Sequence, residues 1–261
     1  MSRIVIYPYQ MYSESSKKLS AALGAVRVYP NRRYRPRAGD IVINWGNSET
    51  PAWMERATDL TTFLNRPECV ARAVNKVTCF QTLKEAGVAT LEFTTDPTIA
   101  NEWTGTVYAR HKVASHSGKG IEIFNEYSSD IPVAPLYTKA KNNHGEYRVH
   151  VFNGEVIDYR KKSRRVEDGE RVEPTEEQNL VRNLANGWIF RRENLTRLER
   201  IEELAKSAVD ALGLEFGAVD IIKDENGDVF VLEVNTAVAM EEQTLESYKN
   251  AINNLIQNAT N

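Results

Sequence analysis

The apolar positions change their period several times along the chain, and each change marks an element. Ile4-Val5-Ile6-Tyr7 is a short apolar run that reads as a strand. Residues 13–23 are helix formers that stop at Gly24, a residue suited to a helix C-terminus. Residues 26–29 and 40–43 read as two more strands, the second running into the polar loop Asn44-Trp45-Gly46-Asn47-Ser48. Strand, helix, strand, strand with short links predicts a fragment of parallel sheet. Its polar loop is either a plain turn or a ligand loop at the C-terminal end of a strand. Over 66–87, Val70, Val74, Val77, Phe80 and Leu83 recur every three or four residues and predict one helix, with Pro67 near its start and Gly87 at its end. Thr196 and Glu199 form a capping-box pattern before a helix that buries Leu198, Ile201, Leu204, Ala208 and Leu212 and stops at Gly213. A last helix covers about 243–258.

Three stretches read as hairpins. Residues 105–110 and 121–124 flank a Ser- and Gly-rich tip, 115–120, that contains Ser115, Ser117, Gly118 and Lys119. Such a tip is a plain hairpin turn or a flap that lays backbone N–H groups on phosphates. It is not a P-loop, because the G-x-x-x-x-G-K-[S/T] spacing is absent and no helix follows. Residues 146–162 turn at Asn153-Gly154, which pairs Phe152 with Glu155, Arg148 with Tyr159 and Glu146 with Lys161. Glu146, Arg148 and Lys161 then share a face that suits a ribose hydroxyl, a phosphate or a carboxylate, or is a surface ion pair. Residues 217–240 turn at Asn226-Gly227, so Asp220 falls opposite Glu233 and Asn235 follows on the same face. Phe230, Leu232 and Val234 take the other face as core. Residues 163–173 are strongly charged and read as a loop or a short hairpin, with Asp168-Gly169 as its turn.

Two carboxylates facing each other across a ladder repel. Either this is the solvated face of an edge hairpin, or a hard cation sits there. Asp, Glu and Asn oxygens suit Mg²⁺, or Mn²⁺, completed by phosphate and water.

The 261 residues are 41% hydrophobic and 26% charged, enough for a sizeable core and more than one lobe. A net charge of −3 gives no overall basic field for nucleic acid, although Arg160-Lys161-Lys162-Ser163-Arg164-Arg165 is locally basic. The sequence lacks a long apolar run or a signal-like start, which points away from the membrane and to the cytoplasm. Cys69 and Cys79 lack ligand spacing and read as ordinary thiols.

A Lys-bearing helix, a basic strand into a Gly-rich tip, an Arg/Lys hairpin and an Asp/Glu/Asn hairpin follow in that order. The order resembles the ATP-grasp superfamily, above all the carboxylate–amine ligases typified by ribosomal-protein glutamate ligases and glutathione synthetases. The likeness runs from about Asn65 onward and is most specific in VDIIKDENGDVFVLEVNTA. It implies an α/β (α+β) fold: a small N-terminal α/β lobe, 1–65, and two α+β subdomains, 66–135 and 136–261, gripping a nucleotide. It further implies ATP contacts from Lys76 in NKVTCFQTLKEAGV, from Arg110 and the 115–120 flap in VYARHKVASHSGKGI, and from Leu136, Tyr137 and Lys139 in PLYTKA. Glu146 would take the ribose hydroxyls, Arg148 the γ-phosphate or the substrate carboxylate, with Lys161 beside it to neutralise charge in transfer, and Arg182-Asn183 a further part of the nucleotide. Asp220, Glu233 and Asn235 would hold Mg²⁺. Arg110 stands where the family usually has Lys, with Lys112 as the other candidate. Ala114 replaces a common Gly, and Val238-Ala239-Met240 replaces the usual Pro and Gly.

The implied activity is ADP-forming ligation of an acid to an amine, of the acid–amino-acid type, through an acylphosphate. The substrates would be small-molecule, peptide or protein carboxylates and amines, with a homo-oligomer left open. A nucleotide-binding regulatory module without ligation and a small-molecule kinase on the same cradle are the alternatives.

Overall fold

The computed structural model describes residues 3–30, 33–56, 61–114, 120–125, 131–167, 170–171, 173–193 and 195–258. β1 (Ile4–Pro8), α1 (Glu14–Leu23), β2 (Val26–Arg27), β3 (Ile41–Trp45) and β4 (Thr62–Leu64) make the first lobe. Its four strands are parallel in the order β2-β1-β3-β4, as the strand–helix–strand pattern predicts. β3 is buried along its length, as expected of a parallel strand covered on both faces. β4 was not anticipated; three residues are too few for a periodic signal.

The helix expected over 66–87 is two helices, α2 (Pro67–Val74) and α3 (Lys76–Glu85). Asn75 between them is extended, with φ −84° and ψ 108°. Its side-chain oxygen accepts from the backbone N–H of Val77 at 3.0 Å and of Thr78 at 3.3 Å. This cap ends one helix and starts the next. The apolar stripe continues across the break, since Val70, Ala73, Cys79 and Leu83 all enter one core, so the sequence looks unbroken.

β5 (Phe93–Thr94), α4 (Pro97–Asn101), β6 (Val107–Arg110), β7 (Ile121–Phe124) and β8 (Leu136–Lys139) build a small antiparallel sheet in the order β5-β8-β6-β7. It has its own core of Ala100, Val107, Ala109, Ala134 and Tyr137. The small sheet therefore reaches Lys139, past the boundary expected at 135.

β9 (Gly145–Phe152), β10 (Glu155–Arg164), β11 (Val166–Glu167), β12 (Glu170–Arg171), α5 (Glu176–Leu180), β13 (Trp188–Arg191), α6 (Glu199–Ala211), β14 (Phe216–Lys223), β15 (Val229–Asn235) and α7 (Glu242–Asn258) complete the chain. β11 and β12 form a small ribbon, and the expected Asp168-Gly169 turn lies outside the described residues. The other five strands form a large antiparallel sheet, β13-β10-β9-β14-β15. α6 is capped at Leu198, so the Thr196–Glu199 box does not form; Leu198 packs against the core instead.

The large sheet has two different faces. Val149, Val151, Val219 and Ile221 point to a core shared with α2, α3 and α6. On the other face Phe152, Phe216 and Ala218 join Ile6, Ile43 and Trp45 of the first lobe and Tyr248 and Ile252 of α7. Trp45 stacks on Phe216, ring centroids 5.4 Å apart. The rest of that second face lines a cleft beneath the small sheet. Among the described residues no helix is long and apolar enough to cross a membrane.

Candidate active site

β9 and β14 pair without interruption, from Phe216 opposite Phe152 to Lys223 opposite Gly145. Alternate residues therefore face the cleft in rows: Glu146 beside Ile222, Arg148 beside Asp220, His150 beside Ala218. Two bulges decide what the outer strands add. Bulges re-aim side chains and are common next to active sites.

In β10 the register slips between Val156 and Asp158, leaving Ile157 unpaired. Asp158 then faces His150, and Arg160 faces Arg148. Lys162, one step further along the same face, forms an ion pair with Glu146. Lys161 points the other way; it is exposed, its Nζ 5.9 Å from the Tyr147 ring centroid. The expected trio of Glu146, Arg148 and Lys161 is thus corrected to Glu146, Arg148 and Lys162.

In β15 Asp220 does face Glu233, through two offsetting shifts. The turn is one residue longer than an Asn-Gly pair. Asp224 accepts from the N–H groups of Asn226 at 3.0 Å and Asp228 at 2.8 Å, and Gly227 takes φ +85°, a conformation that favours glycine. Val229 consequently pairs with Lys223, and Leu232 is then skipped between Val231 and Glu233. The bulge turns Val231 and Val234 into the core and leaves Leu232 lining the cleft, in place of the expected Phe230-Leu232-Val234 core face.

One row thus reads Arg160, Arg148, Asp220, Glu233 across four strands, spaced by roughly 4.8 Å. Arg148 grips Asp220 with two bonds, Nε to Oδ1 at 2.6 Å and Nη2 to Oδ2 at 2.7 Å. Its guanidinium lies 4.3 Å from the Phe190 ring centroid. Lys76 Nζ is 3.1 Å from Glu233 Oε2, and Asn235 Nδ2 donates to Glu233 Oε1 at 3.1 Å. The break at Asn75 sets Lys76 in the first turn of α3, from which it reaches the cleft.

Burial raises the Glu233 carboxyl, but Lys76, the Asn235 amide and Arg148 outweigh it and hold the group at about 2. Burial lifts Asp220 above its ordinary range against the pull of Arg148, and the charge of Glu233 adds to the rise. Glu146 is likewise raised by burial, opposed by Lys162.

Lys162 also donates to the Arg182 carbonyl at 2.7 Å. Arg182 binds the Asn143 side-chain and backbone oxygens at 3.0 and 2.8 Å and stacks on Trp188. Asn183 lines the cleft, its Oδ1 accepting from the Asn186 N–H at 2.9 Å. Arg110 lines it too, its Nε donating to Thr138 Oγ1 at 3.2 Å. Lys112 is exposed, its stem alongside Gly120. Ser115, Ser117 and Gly118 lie outside the described residues.

Three expected nucleotide contacts sit elsewhere. Leu136 and Tyr137 are fully buried in β8, and the Tyr137 backbone is paired on both sides, with Thr94 and Ala109. The Tyr137 hydroxyl donates to the Pro132 carbonyl at 2.6 Å. Lys139 faces Glu92 at 3.9 Å. Leu136–Lys139 of PLYTKA are a strand of the small sheet, and the residues that line the cleft follow that strand, Ala140, Lys141, Asn142 and Asn143. Those four, with His150, Arg160, Lys162 and Leu232, escaped the sequence reading. Only Arg160 and Lys162 had a signal, their place in a basic run.

The cleft holds about 1000 Å³, the size of a small-molecule site. A second cavity of about 580 Å³ shares Lys76, Glu233, Asn235 and Ala237 with it and is closed on the far side by Gly46, Asn47 and Ser48. The polar loop after β3 thus borders a cavity. Gly46 has φ +80°, and a Cβ there would stand 2.6 Å from that of Ala237.

The donor set suits a magnesium–polyphosphate. Asp220 and Glu233 present hard oxygens at adjacent ladder positions, with Asn235 next to them. Among the described residues no cluster of three or more His, Cys, Asp or Glu exists that could hold a metal. A two-carboxylate site is what Mg²⁺ uses when phosphates and water supply the rest. Lys76, Arg110, Arg148 and Lys162 border it and complement an anion.

No protein-family model and no curated protein matches the chain in sequence. Solved structures match it in fold. The ATP-grasp ligase PsnB, complexed with a phosphomimetic variant of its minimal precursor, Mg and ADP, aligns at a TM-score of 0.66 and 14% identity over 100% of this chain and 99% of that one. D-alanyl-alanine synthetase A from Vibrio cholerae O1 biovar eltor aligns at 0.65 and 16% identity, covering 98% of both chains. D-cycloserine synthetase DcsG aligns at 0.61 and 16% identity over 96% of this chain and 99% of that one.

Proposed function

Because the chain has the ATP-grasp fold, we propose that it is an ADP-forming carboxylate–amine ligase. A substrate carboxylate attacks the γ-phosphate of ATP, ADP leaves, and an amine displaces phosphate from the acylphosphate to give an amide. The observation that carries this reading is the Asp220–Glu233 pair, facing the cleft between Arg148 on one side and Lys76 on the other.

Asp220, Glu233 and Asn235 would hold Mg²⁺, or Mn²⁺, which would supply positive charge to neutralise the phosphates. Lys76 and Arg110 would bind phosphate oxygens. Arg148 would exchange part of its hold on Asp220 for the phosphoryl group in transfer, a charge placed before the reaction begins. Glu146, kept in place by Lys162, would accept from the ribose hydroxyls, and the 140–143 segment and Asn183 would border the base. A carboxylate is already nucleophilic, so the chemistry needs no Ser–His or Cys–His device. Tyr108, Arg110 and Ile121 of the β6–β7 hairpin line the cleft and would keep water from the acylphosphate. PsnB is complexed with a precursor peptide, and other matched ligases are named for D-alanyl-alanine and D-cycloserine. The substrate class proposed here therefore spans peptides and small acids and amines. ATP as co-substrate fits a cytoplasmic enzyme.

The test is calorimetric titration with AMPPNP with and without Mg²⁺, followed by ADP release against pools of carboxylates and amines and mass spectrometry of the product. Mg²⁺-dependent binding and an amide product are expected. Glu233→Ala should keep the native circular dichroism and lose ATP turnover; undiminished ADP release by that variant would overturn the proposal.

A further inference from the structure

β13 is an outer strand of the large sheet, and it carries two aromatic rings that meet cations. In the β10–β13 ladder Lys162 pairs with Phe190 and Arg164 with Trp188. Phe190 and Trp188 are alternate residues, so they share a face, and both line the cleft. Large rings on an edge strand are normally a liability. Here cations cover them, and both rings are half-buried.

Each ring takes two cations. The Arg148 guanidinium lies 4.3 Å and Lys162 Nζ 4.8 Å from the Phe190 centroid. The Arg182 and Arg164 guanidinium groups lie 4.6 and 5.3 Å from the Trp188 ring. The negative face of a ring attracts a cation at such distances, more strongly where water is displaced. The two cations on Phe190 belong to two different ion pairs of the cleft. Lys162 is held by Glu146 and by the Arg182 carbonyl. Arg148 gives Nε and Nη2 to Asp220, and Nη1 takes no part in that grip.

Asp220 is also a carboxylate assigned above to the metal. When it turns to a metal, its two bonds to Arg148 must loosen, and the guanidinium then depends on what holds its face. A ring suits that moment. It attracts the cation without taking up the N–H groups as a carboxylate does, so the hydrogen-bonding edge stays available to phosphate oxygens. A charge fixed in this way before transfer needs no reorganisation during it.

We propose that Phe190 is a positioning residue: its ring keeps the Arg148 guanidinium in place while the guanidinium's edge passes from Asp220 to the phosphoryl group. The inference rests on the ligase reading above, because only a ligand that draws Asp220 from Arg148 calls on the ring.

The experiment isotope-labels the arginine nitrogens and follows the Arg148 Nε–H signal by NMR, assigned by its loss in Arg148→Lys, with and without Mg²⁺ and AMPPNP. In the wild type the signal should keep its ring-current shift and its slow hydrogen exchange in both states. In Phe190→Leu exchange should stay slow in the free protein, where Asp220 keeps its grip, and become about tenfold faster on loading. AMPPNP affinity by calorimetry should stay within about threefold, because Lys162 keeps Glu146 and the Arg182 carbonyl. With a carboxylate and amine that the wild type turns over, kcat should fall about tenfold and KM for ATP should stay within about threefold, as for a contact that matters only during transfer. Phe190→Tyr should restore both the slow exchange and kcat. Phe190→Met, equally without a ring, repeats the test where Phe190→Leu does not fold. Wild-type exchange in the loaded ring-less variant, a Phe190→Tyr as impaired as Phe190→Leu, or a raised KM with unchanged kcat would overturn this inference alone. A wild-type protein that fails to bind AMPPNP with Mg²⁺ would overturn the ligase reading and this inference together.

Discussion

Asp220 and Glu233 are ladder neighbours with opposite proton affinities, and the difference lies in what touches them. Glu233 has Lys76 and an amide donor; Asp220 is more deeply enclosed and relies on Arg148. Arg148→Met would strand Asp220, at an expected cost of about 3 kcal/mol at pH 8. Protonation relieves a buried carboxylate whose pKa is raised, so this cost should shrink as pH falls; urea denaturation at pH 8 and pH 5 measures it. His150 works in the opposite sense. Burial, reinforced by Arg160, Arg148 and Arg192, outweighs Asp158 and brings it down to about 3. Between about pH 6.5 and 3 the unfolded chain binds a proton there and the native chain does not. Stability is therefore lost as pH falls through that window, by about 1.4 kcal/mol per unit, and His150→Gln should flatten the slope. Much of this chemistry was legible in the sequence. Lys76, Arg110, Glu146, Arg148, Asn183, Asp220, Glu233 and Asn235 were all named from it and all face one cleft or its rim. Lys161 was not separable from Lys162, because a single skipped residue inverts every side chain beyond it. Lys161→Ala should leave AMPPNP affinity within twofold. Lys162→Ala should weaken it by about tenfold, near 1.4 kcal/mol.

At the scale of elements, the irregularities shape the site more than the regular spans do. Ile157 and Leu232 are skipped in their ladders, and Asn75 interrupts a helix. No composition signal marks them. The Asp220–Glu233 pairing was reached by assuming a shorter turn and no bulge, two errors that cancel. The regular parts were legible because they obey simple periods: the β6–β7 hairpin, the Asn153-Gly154 turn and the parallel first sheet all stand as expected. PLYTKA was misplaced because the family likeness suggested a linker where the chain forms β8, a strand with almost no exposed position to give a period. Asn75→Ala removes two capping bonds and should cost about 1 kcal/mol in thermal denaturation. With α3 frayed at its start, Lys76 is no longer held near Glu233, and AMPPNP binding should weaken as well.

Across the whole molecule, the first lobe and the large sheet share one apolar core, and the seam between them is tight. Asn65 is fully buried with φ +61°; its amide donates to the Phe216 carbonyl at 2.8 Å and accepts from Glu215 N–H at 2.9 Å. Val238 and Met240, which depart from the family pattern, lie in this core with Trp45 and Tyr248. Their difference thus has a packing role. Trp45→Ala should cost about 3–5 kcal/mol, and urea denaturation should show the first lobe and the large sheet melting in one step.

The small sheet stands apart from that arrangement, because its core is separate. Its contacts with the rest include the stack of Phe93 on Phe80, the Val113 carbonyl accepting from the Lys76 N–H at 3.0 Å, the Thr90–Val231 bridge just before β5 and, across the cleft, the Tyr108 hydroxyl on the Leu180 carbonyl at 3.1 Å. The molecule is thus built like a vice with one heavy and one light jaw. The heavy jaw carries the acidic pair and Arg148, and the light jaw carries Arg110. On the ligase reading, admitting a nucleotide would ask only that the lighter jaw lift, and the register that aligns Asp220 with Glu233 would stay undisturbed.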